Sequence, residues 1–350
     1  MNRKAKVLLI GSSSPHVANH LSRIECNDFI IEVISDNNKF LPPNQKLYKI
    51  EFALKNILNW FKSPKKIREI ISTFNPDVIH VHQANSIGFF TVLANRKTKK
   101  PIVLTAWGSD ILINPKKSIL LKMMVKYILR NVDVITSDSE YMANVIRDLN
   151  NKEDQDIIIC NFGVQEFDIP IEKKKIIYSN RTHNPLYRID EVLKAFARFK
   201  ESEAQDEWII KIAGRGSETE RLKQLAQKLD IEKSIEFVGF VDAETNASLY
   251  AESTYFISIP NSDATAMSLL EAMYFKCIPI LSNLPANKEW VESGVNGLIV
   301  GDLNANFIRD AICFDQDKMG LFNRNVILKK GTIAISEDSF RNVLLKLINN

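Results

Sequence analysis

Short, almost wholly apolar runs rich in β-branched residues alternate with helical patterns along this chain, and the alternation is completed twice. The first set is Val7–Ile10, Phe29–Ile34, Val78–Val81, Ile102–Thr105, Val132–Thr136 and Ile157–Cys160. The second is Ile176–Ser179, Trp208–Ala213, Ile235–Val238, Tyr255–Ile259, Ile278–Ser282 and Leu298–Val300. None shows the apolar/polar alternation of a half-exposed strand, so they read as parallel strands covered on both faces. Between them Ile67, Ile70, Ile71 and Phe74 fall at i, i+3, i+4, i+7, and Asn75-Pro76 ends that helix. Ser86 is placed to cap the next one. Further helices are expected at 189–200, 217–229, 268–276 and 304–313.

This pattern predicts an α/β chain of two Rossmann-like, doubly wound domains facing a central cleft, with ligands at the carboxyl ends of the strands. At ~150 residues per domain, 350 residues also suggest about two. The expected division is 1–168 for the first domain and 169–335 for the second, with Glu172-Lys173-Lys174-Lys175 as linker. The segment from Ser336 to Asn350 reads as a helix with the stripe Phe340, Val343, Leu344 and Leu347, expected to pack back on the first domain.

Charge is uneven. Residues 1–165 hold 23 Lys/Arg and 15 Asp/Glu, +8, and the remainder holds −4 of the net +4. A basic first half suits an anionic partner such as a membrane surface, or is simply a solvated face. No helix-turn-helix, finger or basic–aromatic pattern points to nucleic acid. Cys26, Cys160, Cys277 and Cys313 stand too far apart for a zinc or redox pair and suggest reduced thiols in a cytoplasmic protein. The apolar stretch after the basic N-terminus ends at Gly11, so it reads as a strand, not a signal peptide.

After Ile10, Gly11-Ser12-Ser13-Ser14 lacks two of the three glycines of a dinucleotide fingerprint, which disfavours a dehydrogenase. A turn of this kind can still offer backbone N–H groups to an oxyanion, or be a plain strand-to-helix turn. The strongest block is 257–300. There a strand ends near Ile259, a polar loop carries Asp263-Ala264-Thr265-Ala266, and a helix begins near Ser268-Leu269. Such a helix start can hold a diphosphate. Glu271, eight residues after Asp263, is placed to accept hydrogen bonds from vicinal ribose hydroxyls, while Asp263 and the loop amides face a second polyol. The plain alternative for Glu271 is an early-turn carboxylate favoured by the helix dipole.

With Glu271-Ala272-Met273, Glu289-Trp290-Val291, Asn296-Gly297-Leu298-Ile299-Val300, Ala213-Gly214-Arg215-Gly216 and Pro76-Asp77-Val78-Ile79-His80-Val81-His82, the chain resembles retaining glycosyltransferases of the GT-B fold, family 4 (glycosyl transferases group 1). The resemblance implies transfer of a sugar from a nucleotide-diphosphate donor, without a cofactor or metal, to a glycan or lipid-linked acceptor in surface polysaccharide or glycolipid synthesis. It implies donor contacts from Gly11, Ser12, Arg181, His183, Tyr187, Arg188, Gly214, Asp263, Ala264, Thr265, Ala266, Ser268, Leu269 and Glu271. Asp263 and Arg181 would serve the chemistry, and His16, Trp107 and Asp110 the acceptor side.

The chain also departs from the family. Asp263 replaces a Glu, and Tyr187 replaces the Lys six residues after Arg181, with Arg188 adjacent to supply charge. Trp107 stands in the place of a His within Thr105-Ala106-Trp107-Gly108-Ser109-Asp110. These changes keep open a catalytically silent sugar-nucleotide-binding subunit, and a GT-B epimerase is a further alternative. His80 and His82 are assigned to opposite strand faces, which would keep them from forming a metal pair. The strings Asp154–Asp156 and Asp315–Asp317 read as solvated turns. Residues 115–130 with Lys62, Lys65, Lys66 and Arg68 form a basic amphipathic face suited to an anionic bilayer at the inner side of the cell membrane, or to ordinary packing on the sheet.

Overall fold

The computed structural model describes residues 3–24, 28–151, 156–202 and 207–349. Cys26, Asp154 and Gln155 lie outside the described residues. Two compact units result: Met1–Phe162 with Ala334–Asn350, and Gly163–Ile333.

The first unit carries a seven-stranded sheet, all parallel, in the order β3-β2-β1-β4-β5-β6-β7. Its strands are β1 (Ala5–Ile10), β2 (Phe29–Ser35), β3 (Leu47–Lys49), β4 (Val78–His82), β5 (Ile102–Thr105), β6 (Val134–Ser137) and β7 (Asp156–Ile159). Strand order reverses about β1, which pairs with both β2 and β4, so the turn at Gly11 opens at the switch point where such sheets bind ligands. Helix Ser86–Asn95 is capped by Asn85, whose side chain accepts from Ile87 N, one residue before the expected cap Ser86. The last helix, Ile333–Asn349, sends Phe340, Val343 and Leu344 into the cluster built on Val7, Phe29, Val78, Val103 and Val134.

The second unit has six parallel strands in the order β10-β9-β8-β11-β12-β13. They are β8 (Lys174–Ser179), β9 (Ile209–Ala213), β10 (Ile235–Gly239), β11 (Ser253–Ser258), β12 (Ile278–Ser282) and β13 (Leu298–Val300). Phe196, Phe199, Trp208 and Tyr255 belong to one core cluster, and Tyr178, Tyr250, Phe256 and Phe275 to another. Here the order reverses about β8, which places Asn180 and Arg181 at the switch point.

The stretch 172–175 is not a linker. Lys174 and Lys175 open β8, and the Lys173 ammonium donates to the carbonyls of Tyr250 (2.8 Å) and Ser253 (2.6 Å). The chain passes between units at Phe162–Gly163, earlier than expected, because Val164 pairs with Thr332 inside the second unit. Asp315-Gln316-Asp317 is a helix start rather than a solvated turn: Asp315 caps Gln316–Lys330 by accepting from Lys318 N.

Candidate active site

The turn after β8, the turn after β9 and the loop after β11 meet at the carboxyl edge of the second sheet. Arg181 is the hub. Its Nη2 donates to Asp263 Oδ2 (2.5 Å), its Nη1 donates to Ser268 Oγ (2.7 Å), and its guanidinium lies 4.3 Å from the centroid of the Tyr187 ring. Tyr187 therefore substitutes a cation–π contact for a second cation. Burial raises the Asp263 carboxyl above the usual range, and the Arg181 charge opposes that rise.

Ser268 lies in the first turn of helix Met267–Tyr274, whose N-cap, Ala266, has no side chain able to cap. Leu269 N and Leu270 N donate to Ala266 O (3.0 and 3.4 Å), so among the first-turn amides those of Met267 and Ser268 keep their capacity for an external acceptor. Ala264 and Ala266 are buried and small, which lets the loop backbone line the site, while the Leu269 side chain is core. Thr265 is buried, and its Oγ1 accepts from Trp290 Nε1 (3.3 Å).

Glu271 follows one turn in. Asn246 Nδ2 donates to its Oε2 (3.2 Å), and Tyr250 Oη also lies 3.2 Å from that oxygen. Tyr250 has one proton for two acceptors, since Ser268 O is 3.0 Å away. Burial is the largest effect on Glu271 and lifts its carboxyl to about 7, against those hydrogen bonds and the Arg181 charge. This is a buried acid in a polar cage formed with Asn180, whose Nδ2 donates to Asn246 Oδ1 (3.0 Å) and to Tyr250 Oη (2.7 Å).

His183 is fully buried, with Nδ1 3.0 Å from Thr219 Oγ1, and burial lowers its pKa. It forms one wall of an open pocket of about 570 Å³ that also involves Gly214, Arg215, Thr219, Lys223 and Phe237. Gly214 holds φ = +114°, and a Cβ there would come within 2.5 Å of Arg181 O, so the turn requires glycine. Sequence reasoning did not single out Lys223 or Phe237; the helical pattern at 217–229 and the strand at 235–238 were the available signals. Arg188 turns away from this group: its Nε and Nη2 donate to the carbonyls of Ile259 (2.6 Å) and Pro260 (3.0 Å), and it fastens the end of β11 rather than replacing the missing cation.

In the first unit, Gly11 N donates to Ile34 O (3.1 Å), and a Cβ on Gly11 would meet Val17 Cγ2 at 2.8 Å, so the β1 turn is tightly packed. Ser12 lies in the same half-buried turn. His16 stands edge-on to Trp107, ring centroids 5.3 Å apart. Trp107 Nε1 donates to His82 Nδ1 (3.1 Å). Asp110 is not an open acceptor-side group: it is 1% exposed, and its oxygens accept from Trp107 N (3.0 Å) and Ala84 N (2.7 Å).

His80 and His82 share one face of β4, because strand residues two apart point the same way. Their ring centroids are 4.8 Å apart, and with His20 they form a buried trio whose nitrogens lie within 4.8 Å. The indole N–H takes the lone pair of His82 Nδ1, His80 Nε2 meets Thr105 Oγ1 (2.7 Å), and His20 Nε2 meets His80 Nδ1 (3.2 Å). His20 and His80 are thus bonded to each other and His82 to Trp107, and among the described residues His20 Nδ1 and His82 Nε2 are buried without a hydrogen-bond partner.

Sequence family models match both units: Glycosyl transferases group 1 over residues 163–313, and Glycosyl transferase 4-like over residues 6–139. The chain belongs to the glycosyl transferases group 1. It is 25% identical over 245 residues to the alpha-monoglucosyldiacylglycerol synthase of Streptococcus pneumoniae, covering 63% of this chain and 55% of the synthase. Among solved structures, a glycosyltransferase from Rickettsia africae superposes with TM-score 0.79 at 16% identity, covering 100% of both chains. Anabaena HepE, solved in complex with UDP, gives 0.77 at 13% identity over 97% of this chain and 100% of that one. Together with the two sheets, these likenesses establish the GT-B fold.

Proposed function

We propose that this group 1 glycosyltransferase moves a sugar from a nucleoside-diphosphate sugar to a glycan or lipid-linked acceptor, with retention of configuration and without a metal. The observation that carries the reading is the Arg181–Asp263–Ser268 cluster beside the open helix start, one turn from caged Glu271. As the bond from the anomeric carbon to the diphosphate breaks, negative charge grows on the departing phosphate. Arg181 is held still by three neighbours before the donor arrives, so little ordering is left for the reaction to supply. Asp263 holds the guanidinium through Oδ2, and its Oδ1, which accepts from Ala264 N (3.1 Å), has a second lone pair to offer donor hydroxyls. Glu271, once ionised, accepts from the ribose. The pocket beside Phe237 and His183 suits the base, and the UDP in Anabaena HepE is consistent with a uridine donor.

Membrane contact rests on helix Ile119–Arg130. Its second half buries Val125, Ile128 and Leu129, while Ile119, Leu120 and Met123 remain exposed among Lys116, Lys117 and Lys122. No helix of the described residues is long and apolar enough to cross a membrane. Peripheral attachment at the cytoplasmic face, in surface glycan or glycolipid synthesis, fits that face.

Titration calorimetry with UDP and UDP-sugars, then turnover of the tightest donor, tests the reading. Glu271→Ala is expected to abolish donor binding with the fold intact. Wild-type turnover in that variant would overturn the site. Donor binding without turnover, whatever acceptor is supplied, would favour the silent binding subunit, and interconversion of free nucleotide sugars the epimerase.

A further inference from the structure

The first unit holds a pocket of its own, at the carboxyl ends of β2 and β3, and two of its lysines, Lys62 and Lys66, belong to the basic face read from the sequence. Its volume is about 470 Å³, and its walls include Asp36, Lys49, Glu51, Asn59, Lys62 and Lys66. Lys62 and Lys66 are four apart on helix Asn59–Phe74, so both reach the same side, and Lys49 enters from the end of β3. None of the three lysines forms an ion pair among the described residues. Asp36 is already engaged, accepting from Ser13 N (2.7 Å) and Ser35 Oγ (3.2 Å), which ties one wall of the pocket to the β1 turn. The pocket therefore combines three ammonium groups, in excess over the two carboxylates of Asp36 and Glu51, with amide and carboxylate partners for hydroxyls.

Its rim is of the opposite character. Ile57, Leu58, Trp60 and Phe61 are 73%, 54%, 42% and 76% exposed. Four large apolar side chains this exposed within five residues of sequence mark an interaction site. The lip is also held in place: Trp60 Nε1 donates to Leu54 O (3.0 Å), and its ring stands edge-on to Phe89 at 5.7 Å. Phe89 packs in turn on Tyr127 of helix Ile119–Arg130, the helix with the other exposed apolar group. A soluble sugar phosphate would have no use for the lip, and a bare charged surface would have none for the pocket.

We infer that this pocket receives the phosphate-bearing, hydroxylated headgroup of a membrane lipid, with Ile57, Leu58 and Phe61 entering the bilayer. As a lipid site the assignment stands alone; as the acceptor subsite it rests on the transferase reading above.

Co-sedimentation of the full chain with vesicles tests it, comparing phosphatidylcholine alone with phosphatidylcholine containing phosphatidylglycerol. Binding is expected only to the latter. K49Q/K62Q/K66Q is expected to lose about a hundredfold in affinity, and I57S/F61S at least about tenfold. The charge-matched control K4Q/K97Q/K99Q, at the opposite ends of the strands, is expected to stay within about twofold. Equal losses in the pocket and control triples, or wild-type binding by I57S/F61S, would overturn the inference. Glycerol 3-phosphate should displace the chain from vesicles better than sulfate at matched ionic strength. If it binds the vesicle-free chain as tightly as the vesicles do, the ligand is a soluble phosphate and the lipid assignment fails. UDP binding, followed in parallel, should be unchanged in every variant. A chain that binds vesicles through this pocket but never UDP would sink the transferase reading and leave the lipid site standing.

Discussion

Glu271 carries a pH dependence with a definite sign. Burial holds its carboxyl at about 7, above its value in the unfolded chain, so the free protein gains stability as pH falls through 7 toward the ordinary carboxylate range. Ligand binding runs the other way, because only the ionised form accepts from two ribose hydroxyls. UDP affinity should therefore rise through pH 7, and Glu271→Gln should flatten that rise while keeping the nucleotide's own phosphate titration; a slope unchanged in the Gln variant would remove Glu271 from the site. Tyr187 acts through Arg181, so Tyr187→Ala should weaken UDP binding by about 0.5–2 kcal/mol, with Tyr187→Phe near wild type, as calorimetry would show. Much of this was legible in the residues: Asp263, Ser268 and Glu271 follow from a polar loop running into a helix. Arg188 was not legible, because nothing in its spacing says that its guanidinium turns back onto the carbonyls that end β11. The pairing of His80 with His82 was legible from the strand period alone, and was assigned to the wrong faces.

At the scale of elements, continuous apolar runs identified the buried parallel strands, because burial on both faces leaves no polar position to interrupt them. β3 escaped because its three residues are half-buried or exposed and too few to show a period. Helix Gln316–Lys330 escaped because Leu321, Phe322 and Leu328 lie exposed while Met319 and Ile327 are buried, so no single apolar stripe emerges. The turn after β9 was visible as Gly214-Arg215-Gly216, but its tightness was not. A Cβ on Gly216 would stand 2.2 Å from the His183 carbonyl oxygen, a backbone atom that cannot swing aside. Gly216→Ala must therefore displace the His183 segment. It is expected to cost more in UDP affinity than in stability, since His183 N also depends on the Arg215 carbonyl (3.3 Å) to shape the pocket. Calorimetry beside a thermal melt separates the two, and an unchanged affinity would mean that the pocket is not used.

The whole chain closes on itself through its last helix, and that closure governs how the first unit responds to acid. Phe340 lies edge-on to His20 with ring centroids 4.6 Å apart and belongs to the cluster that holds the first sheet together. Burial keeps His80 near 3 and holds His20 and His82 well below the usual imidazole range, so all three rings are neutral in the folded unit. Above about pH 6.5 the unfolded chain is neutral at these positions too, and they contribute no pH dependence. Below it, the unfolded chain takes up protons that the folded unit refuses, and stability falls by up to about 4 kcal/mol per pH unit if all three titrate together. Hydrogen exchange resolved by unit should show the first unit opening steeply between pH 6.5 and 5, while the second, where Glu271 gains stability over the same range and His183 opposes it, does not share that slope. Phe340→Ala is expected to cost about 3–5 kcal/mol at neutral pH. It should also make the acid response shallower, because water reaching the rings lets them protonate without unfolding. A variant that lost stability yet kept the full acid slope would show that Phe340 packs the core without sealing the histidines.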